Sequence, residues 1–314
     1  MRRPYFFEIF TVVNFAIIQI VLWRITRAPL ATILATLVTL LPVFLAQALI
    51  GIGVRYAIRR GEYAAVIRSR QWIADSARII FFSALSVHVY GWIKLSIPLL
   101  NPQLFDSQLW NIDRAMFYGH SPNIFFLDLF STWLRFFDWT YANVFIASIN
   151  IASMYFLSDP DPRLRIGFTN ANTLMWLVGA WLYLAVPSLG PAYRFPSVWL
   201  PLSAMLPNTQ QLQRILMNNY QHVLHNQPVN ILLGIAAFPS LHVAFEALVT
   251  LWMRGRWRLL FACITLIIFL GSIITGWHYL IDSIAGVVLA ILSYLAVAIP
   301  QRRKALVVAN ASTE

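Results

Sequence analysis

The chain has 314 residues, of which 59% are hydrophobic and 11% charged, and its mean hydropathy is +0.67. A soluble domain carries about 25% charged residues, so these values exclude one and indicate an integral membrane protein. The net charge of +11 would suit a nucleic acid, but the basic residues fall between apolar runs, as the positive-inside rule places them, and no nucleic acid partner is expected.

Apolar runs of roughly 17–25 residues predict eight spans, near residues 7–24, 29–53, 78–100, 139–158, 168–187, 238–253, 259–276 and 278–299. The sixth is short, and the last two nearly touch. The first resembles the apolar region of a signal peptide, yet no small-residue cleavage site follows it. Trp23-Arg24-Ile25-Thr26-Arg27 reads as the end of a retained helix. The expected fold class is all-α: a polytopic membrane helical bundle of about eight transmembrane helices, with no repeat and no soluble domain. Two of the spans lie within 1–77 and six within 78–300, and 301–314 form a cytoplasmic tail. Cys263 is the single cysteine, so no intrachain disulfide can form. The 12 Trp, 12 Tyr and 22 Phe suit a lipid–water boundary.

With the N-terminus inside, most of the 23 Lys and Arg fall on inner segments, from Arg2 and Arg3 through Arg254, Arg256 and Arg258 to Arg302, Arg303 and Lys304. Arg24, Arg27, Lys94, Arg114, Arg135, Arg194 and Arg214 fall outside or near the outer face. The asymmetry predicts both termini in the cytoplasm of a plasma (inner) membrane protein. Two long segments then lie outside. Residues 101–138 contain Trp133–Trp139, which reads as a short helix lying in the interface. Residues 188–237 have the length of a lid or recognition element.

Two motifs at the outer ends of apolar runs carry the chemistry. Phe238-Pro239-Ser240-Leu241-His242 reads as a helix start with Ser240 as N-cap. The free N–H groups of such a first turn can hold a phosphate within reach of His242. The plainer reading is a capped helix with an interfacial histidine. Gly276-Trp277-His278-Tyr279-Leu280-Ile281-Asp282 places His278 and Asp282 one helical turn apart. A carboxylate there can hold one imidazole nitrogen as a donor and leave the other free as nucleophile or base. The plainer reading is a buried pair that fixes helix packing. Two such motifs on one membrane side favour a shared site. Glu246, one turn after His242, either holds its tautomer or bonds between helices. His88 reads as a packing hydrogen bond and Lys94 as a snorkelling cation.

Pro-Ser-x-His followed by His-x-x-x-Asp resembles the type 2 phosphatidate phosphatase superfamily. Phe-Pro-Ser-Leu-His-Val and Gly-Trp-His-Tyr-Leu-Ile-Asp are most similar to its inositol phosphorylceramide and sphingomyelin synthase branch, over about the last two-thirds of the chain. The resemblance implies a membrane enzyme that works without metal or other cofactor, on lipid phosphates or phosphodiesters at the outer leaflet. It implies His278 as nucleophile on phosphorus, Asp282 as the group that orients it, and His242 as acid and then base. Tyr183-x-x-x-Pro187-x-x-x-Pro191-Ala192-Tyr193-Arg194 resembles the first motif of that branch. Tyr183, Tyr193, Ser240 and Arg194 are therefore expected to bind substrate, Arg194 by its guanidinium fork. One departure stands out. The phosphatases carry an arginine six residues before the nucleophile, where this chain has Ser272. The synthase branch tends to lack it too, which favours a transferase with a lipid substrate and a polar or lipid alcohol acceptor over a phosphatase using water. A metalloenzyme built on the two histidines and the aspartate is a remoter reading. A transporter is disfavoured by the lack of repeated halves.

Overall fold

The computed structural model of the chain describes residues 4–26, 30–225, 227 and 232–311. Arg2, Arg3, Arg27, residues 226 and 228–231 of the long second segment and residues 312–314 of the tail lie outside the described residues. Among those described there is no strand. The helices are α1 (Phe6–Thr26), α2 (Leu30–Ile58), α3 (Arg60–Ile67), α4 (Arg70–Leu100), α5 (Asp106–Met116), α6 (Pro122–Leu129), α7 (Leu134–Trp139), α8 (Phe145–Leu157), α9 (Pro162–Ala185), α10 (Pro191–Arg194), α11 (Pro196–Trp199), α12 (Pro207–Leu224), α13 (Leu241–Trp252), α14 (Arg256–Ile274) and α15 (Leu280–Ala311). The all-α polytopic bundle expected from composition is the fold observed.

By length and composition, six helical stretches can cross a membrane: Phe6–Arg24, Thr36–Ile58, Arg70–Leu100, Ser131–Leu157, Arg256–Ile274 and Leu280–Gln301. The remaining two of the expected spans, α9 and α13, fall outside those limits of length and composition. Helix α9 is long enough, at 24 residues, but contains Arg163, Arg165, Asn170 and Asn172. It packs inside the bundle, where Arg165 is 2% exposed and donates to Ser76 Oγ at 2.6 Å. Helix α13 has only 12 residues. The chain before it, 232–240, is non-helical, and such backbone is tolerated at membrane depth only where protein surrounds it.

Trp133–Trp139 is not a separate interfacial helix. It opens a helical run that continues through a five-residue π-helix, Thr140–Val144, into α8. Trp133, Phe136 and Trp139 face outward, while Leu134, Phe137 and Asp138 are buried. The long segment after α9 is likewise mostly helical, forming α10, α11 and α12.

Helix α13 sits among α9, α14 and α15, and α4 runs beside α9. Gly286 allows the closest of these approaches: a Cβ there would stand 2.3 Å from Ser240 O, so α15 crosses the start of α13 backbone to backbone. The first two helices pack on α4 and are tied in by polar contacts, which in an apolar medium have no water to compete with. Arg55 pairs with Asp159 at 2.7 Å, Gln47 donates to Asn150 Oδ1 at 2.9 Å, and Trp181 donates to Asn14 Oδ1 at 2.6 Å. Arg78 and Glu8 form a further ion pair. His88 is hydrogen-bonded to Thr36 on α2.

Candidate active site

The start of α15 shows how the sequence builds the site. A helix leaves its first N–H groups without internal partners, and here two buried carboxylates take them. Asp282 reaches back to Tyr279 N at 2.9 Å, the geometry of a capping box. Asp113 on α5 accepts from Leu280 N at 2.6 Å and from Ile281 N at 2.9 Å. Burial pushes the Asp113 carboxyl up to about 6, with the charge of Asp282 adding to the rise and the two N–H bonds opposing it. The first N–H groups of α15 are thus already taken by two carboxyl groups and are closed to a second acceptor.

The start of α13 is the opposite case. Ser240 occupies the N-cap position, yet its hydroxyl makes no capping hydrogen bond and, though buried, has no partner among the described residues. Its N–H donates to Asp282 O at 2.9 Å, which joins the two helix starts through the backbone. The first-turn amides of His242 and Val243 have no backbone partner among the described residues, while that of Leu241 is turned to the Tyr183 hydroxyl. This is the free, positively poled helix end that an oxyanion seeks.

His278 lies between α14 and α15 in a segment held from several sides. Its N–H donates to Ser272 O at 3.0 Å, and Asn123 on α6 donates from Nδ2 to Ile273 O at 2.8 Å and to His278 O at 2.9 Å. The ring is aligned through Nδ1, which sits 2.8 Å from Ala237 O. Asp282 Oδ2 is 3.6 Å from the same nitrogen, beyond hydrogen-bond length. The orienting acceptor is therefore a main-chain carbonyl of the 232–240 stretch, with the carboxylate standing behind it as charge. A donor Nδ1 leaves Nε2 of a neutral imidazole with its lone pair free.

His242 faces His278 across a ring separation of 6.1 Å. Its imidazole rests against Phe145 at 4.0 Å and Tyr141 at 5.1 Å, ring to ring, the latter on the π-helix. It makes no hydrogen bond to any described residue. Both histidines line one cavity of about 50 Å³ together with Lys94, Tyr141, Leu216 and Trp277.

The remaining expected site residues lie elsewhere. Arg194 is exposed; its Nη2 is 3.4 Å from Ser107 Oγ, and its guanidinium lies over Phe195 rather than in the cavity. Tyr193 donates to Gln213 O at 3.0 Å and buttresses Trp277. Tyr183 is buried with its ring beneath Lys94 Nζ. No hydrogen bond joins Glu246 to His242; the carboxyl is fully buried one turn deeper. Ser272, where the phosphatases have arginine, is fully buried with Oγ 2.9 Å from Ser283 Oγ, so this position belongs to the α14–α15 contact.

Sequence reading missed three buried acids that hold the segments around the site. Besides Asp113, Asp106 accepts from Leu189 N, Gly190 N and the Tyr279 hydroxyl, and Asp138 accepts from Asn208 N and Thr209 N. All three fall in the outer segment 101–138, Asp138 within the stretch that reads as an interfacial helix. Only Asp138, between Phe137 and Trp139, carries a local signal, since a carboxylate flanked by apolar residues at an interface needs a buried partner. Among the described residues, no group of three or more His, Cys, Asp or Glu side chains is placed to hold a metal ion.

The model of one protein family, described as the PAP2 superfamily, matches residues 107–296. No curated protein and no solved structure matches the chain.

Proposed function

The chain belongs to the PAP2 superfamily, an integral membrane enzyme of the lipid phosphatase and phosphotransferase type, and from that premise we propose that it transfers a phosphoryl-bearing group between lipids. In this reading His278 Nε2 attacks phosphorus and forms a phosphohistidine, and the Ala237 carbonyl and Asp282 hold the ring and balance its positive charge. His242 donates a proton to the departing oxygen and then removes one from the acceptor hydroxyl. The single observation that supports this is the pair of imidazoles on one small cavity, each with a nitrogen that no described residue occupies.

Transfer to an alcohol, as in inositol-phosphoryl-lipid synthesis, is favoured over hydrolysis by the cover of the cavity. Leu212 and Leu216 of α12 line it, apolar surface that limits the access of bulk water to the intermediate. The topology we propose puts both termini in the cytoplasm and the cavity at the extracytoplasmic face, with 1–77 as an addition to a catalytic core of 78–300. The test uses the full chain in detergent or vesicles with a chelator present. Phosphatidate, phosphatidylinositol and polyprenyl phosphate are offered with and without inositol or diacylglycerol. A new lipid phosphodiester that disappears in His278→Ala supports transfer, and released phosphate that disappears in the same variant replaces it with hydrolysis. Products unaffected by His278→Ala overturn the assignment of the nucleophile.

A further inference from the structure

A phosphoryl group passing between His242 and His278 calls for a fixed cation, because its oxygens carry negative charge throughout the reaction while the charge on each imidazole comes and goes. Position 272, which supplies one in the phosphatases, is a buried serine bonded to Ser283. Arg194 points to Ser107 and Phe195, outside the cavity. Arg114 bends back onto Gly119 O at 2.8 Å and lines a separate groove with Trp110, His120 and Asp128. One basic side chain does line the cavity with His242 and His278, and it comes from α4, before the segment that the family model matches.

We infer that Lys94 is the phosphate-binding cation of this site, in place of the arginine absent at position 272. The inference rests on the phosphoryl-transfer reading and names a substrate-binding residue within it.

Three features of its placement support the role. The ammonium lies over the faces of Tyr183 and Tyr90, 5.1 and 5.8 Å from their ring centroids. Aromatic faces stabilise a cation without neutralising it, and Lys94 has no carboxylate within 4.0 Å among the described residues. Its charge is held in position and left uncompensated, as an anion site requires. The backbone fixes the distance: a Cβ on Gly234 would come within 2.7 Å of Lys94 O, so the stretch leading to Ala237 and Ser240 is pressed against α4 at this residue. The cavity is also of fitting size. At about 50 Å³ it has room for a few waters, or for one phosphoryl group in their place.

Orthovanadate, a phosphate mimic that takes up five-coordinate geometry, is the probe. Its binding is measured by the rise in melting temperature of the full chain in detergent, for wild type, Lys94→Met, Lys94→Arg and His242→Gln. Turnover of the best phospholipid substrate is measured alongside. Lys94→Met removes a charge from an apolar bundle and should fold, as its elution profile will show. Its vanadate affinity should fall at least about tenfold and its KM should rise, whereas Lys94→Arg should recover most of the binding. Vanadate binding and KM in Lys94→Met equal to wild type overturn the inference while leaving the phosphotransfer reading intact. Absence of vanadate binding by wild type itself overturns both.

Discussion

Asp113 on α5 and Leu280 at the head of α15 are joined by a 2.6 Å hydrogen bond from the Leu280 amide to a carboxylate fully enclosed by protein. The same carboxyl takes the Ile281 amide, so a short amphipathic helix seats the helix that carries Asp282. The residues of the reaction are thereby supported by a segment that contributes nothing to the cavity itself.

This relationship predicts a pH dependence. The folded-state value of Asp113 is raised to about 6 from an ordinary 3.8, so the folded chain holds a proton that the unfolded chain releases. Stability contributed in this way is present below pH 3.8 and is lost as pH rises through 6. Asp113→Asn should flatten that slope in melting temperature between pH 4 and 6. It should also lower turnover, because an amide offers only one acceptor oxygen where the carboxylate offered two. A slope unchanged in Asp113→Asn would assign the dependence to another group.

The two histidines should separate kinetically. His278→Ala should give no acid-labile phosphoenzyme and no turnover. His242→Gln should still form the phosphoenzyme from a substrate with a good leaving group, with overall turnover lowered about 100- to 10,000-fold. Radiolabel trapped on His242→Gln but not on His278→Ala would match these roles, and the reverse pattern would exchange them.

Asp282→Asn tests the 3.6 Å separation from His278. If the Ala237 carbonyl does the orienting, the loss falls on stabilising a developing imidazolium, so kcat drops while KM changes little. A large rise in KM would instead point to a cavity reshaped by a weaker, neutral cap on Tyr279 N.

Gly286→Leu should be disruptive although it lies away from the cavity. Its side chain has to occupy space held by Ser240 O, and overpacking of this kind typically costs about 1–3 kcal/mol. The melting temperature should fall, and activity should fall further, because the displaced backbone is that of the α13 start. Gly53→Leu, with open space around its Cβ, is the matched control and should be near neutral.

Asp106→Ala should resemble loss of the cavity wall. The carboxylate accepts from Leu189 N, Gly190 N and the Tyr279 hydroxyl, and removing it leaves these buried donors unpaired at about 1–3 kcal/mol each. Limited proteolysis between α9 and α12 should accelerate relative to wild type.

What the sequence carried well was whatever depends on local pattern. Apolar run length located α1, α2, α4, α14 and α15, and four-residue spacing placed His278 and Asp282 at one helix start. It failed where tertiary packing decides. Helix α9 reads as a featureless apolar run, although its Arg165 and Asn170 turn to neighbours invisible along the chain. Arg194 stands in the right motif, yet the fold turns it towards Ser107. Lys94 reads as a residue reaching for a headgroup, because nothing in its own helix discloses Tyr183, His242 or Trp277 opposite it. The alignment of His278 was equally hidden, since Ala237 has no side-chain chemistry to notice.

That last contact shapes what genetics can see. The acceptor for His278 belongs to the peptide bond after Ala237, so no codon change at 237 deletes it. A substitution scan of every position would score Asp282, whose atoms it can remove, and would pass over the oxygen that sits closer to the ring. Replacing the amide that follows Ala237 with an ester weakens that carbonyl as an acceptor, and doing so in a Ser188→Ala background separates its contribution from the Phe238 N–H bond to Ser188 Oγ that the ester also removes.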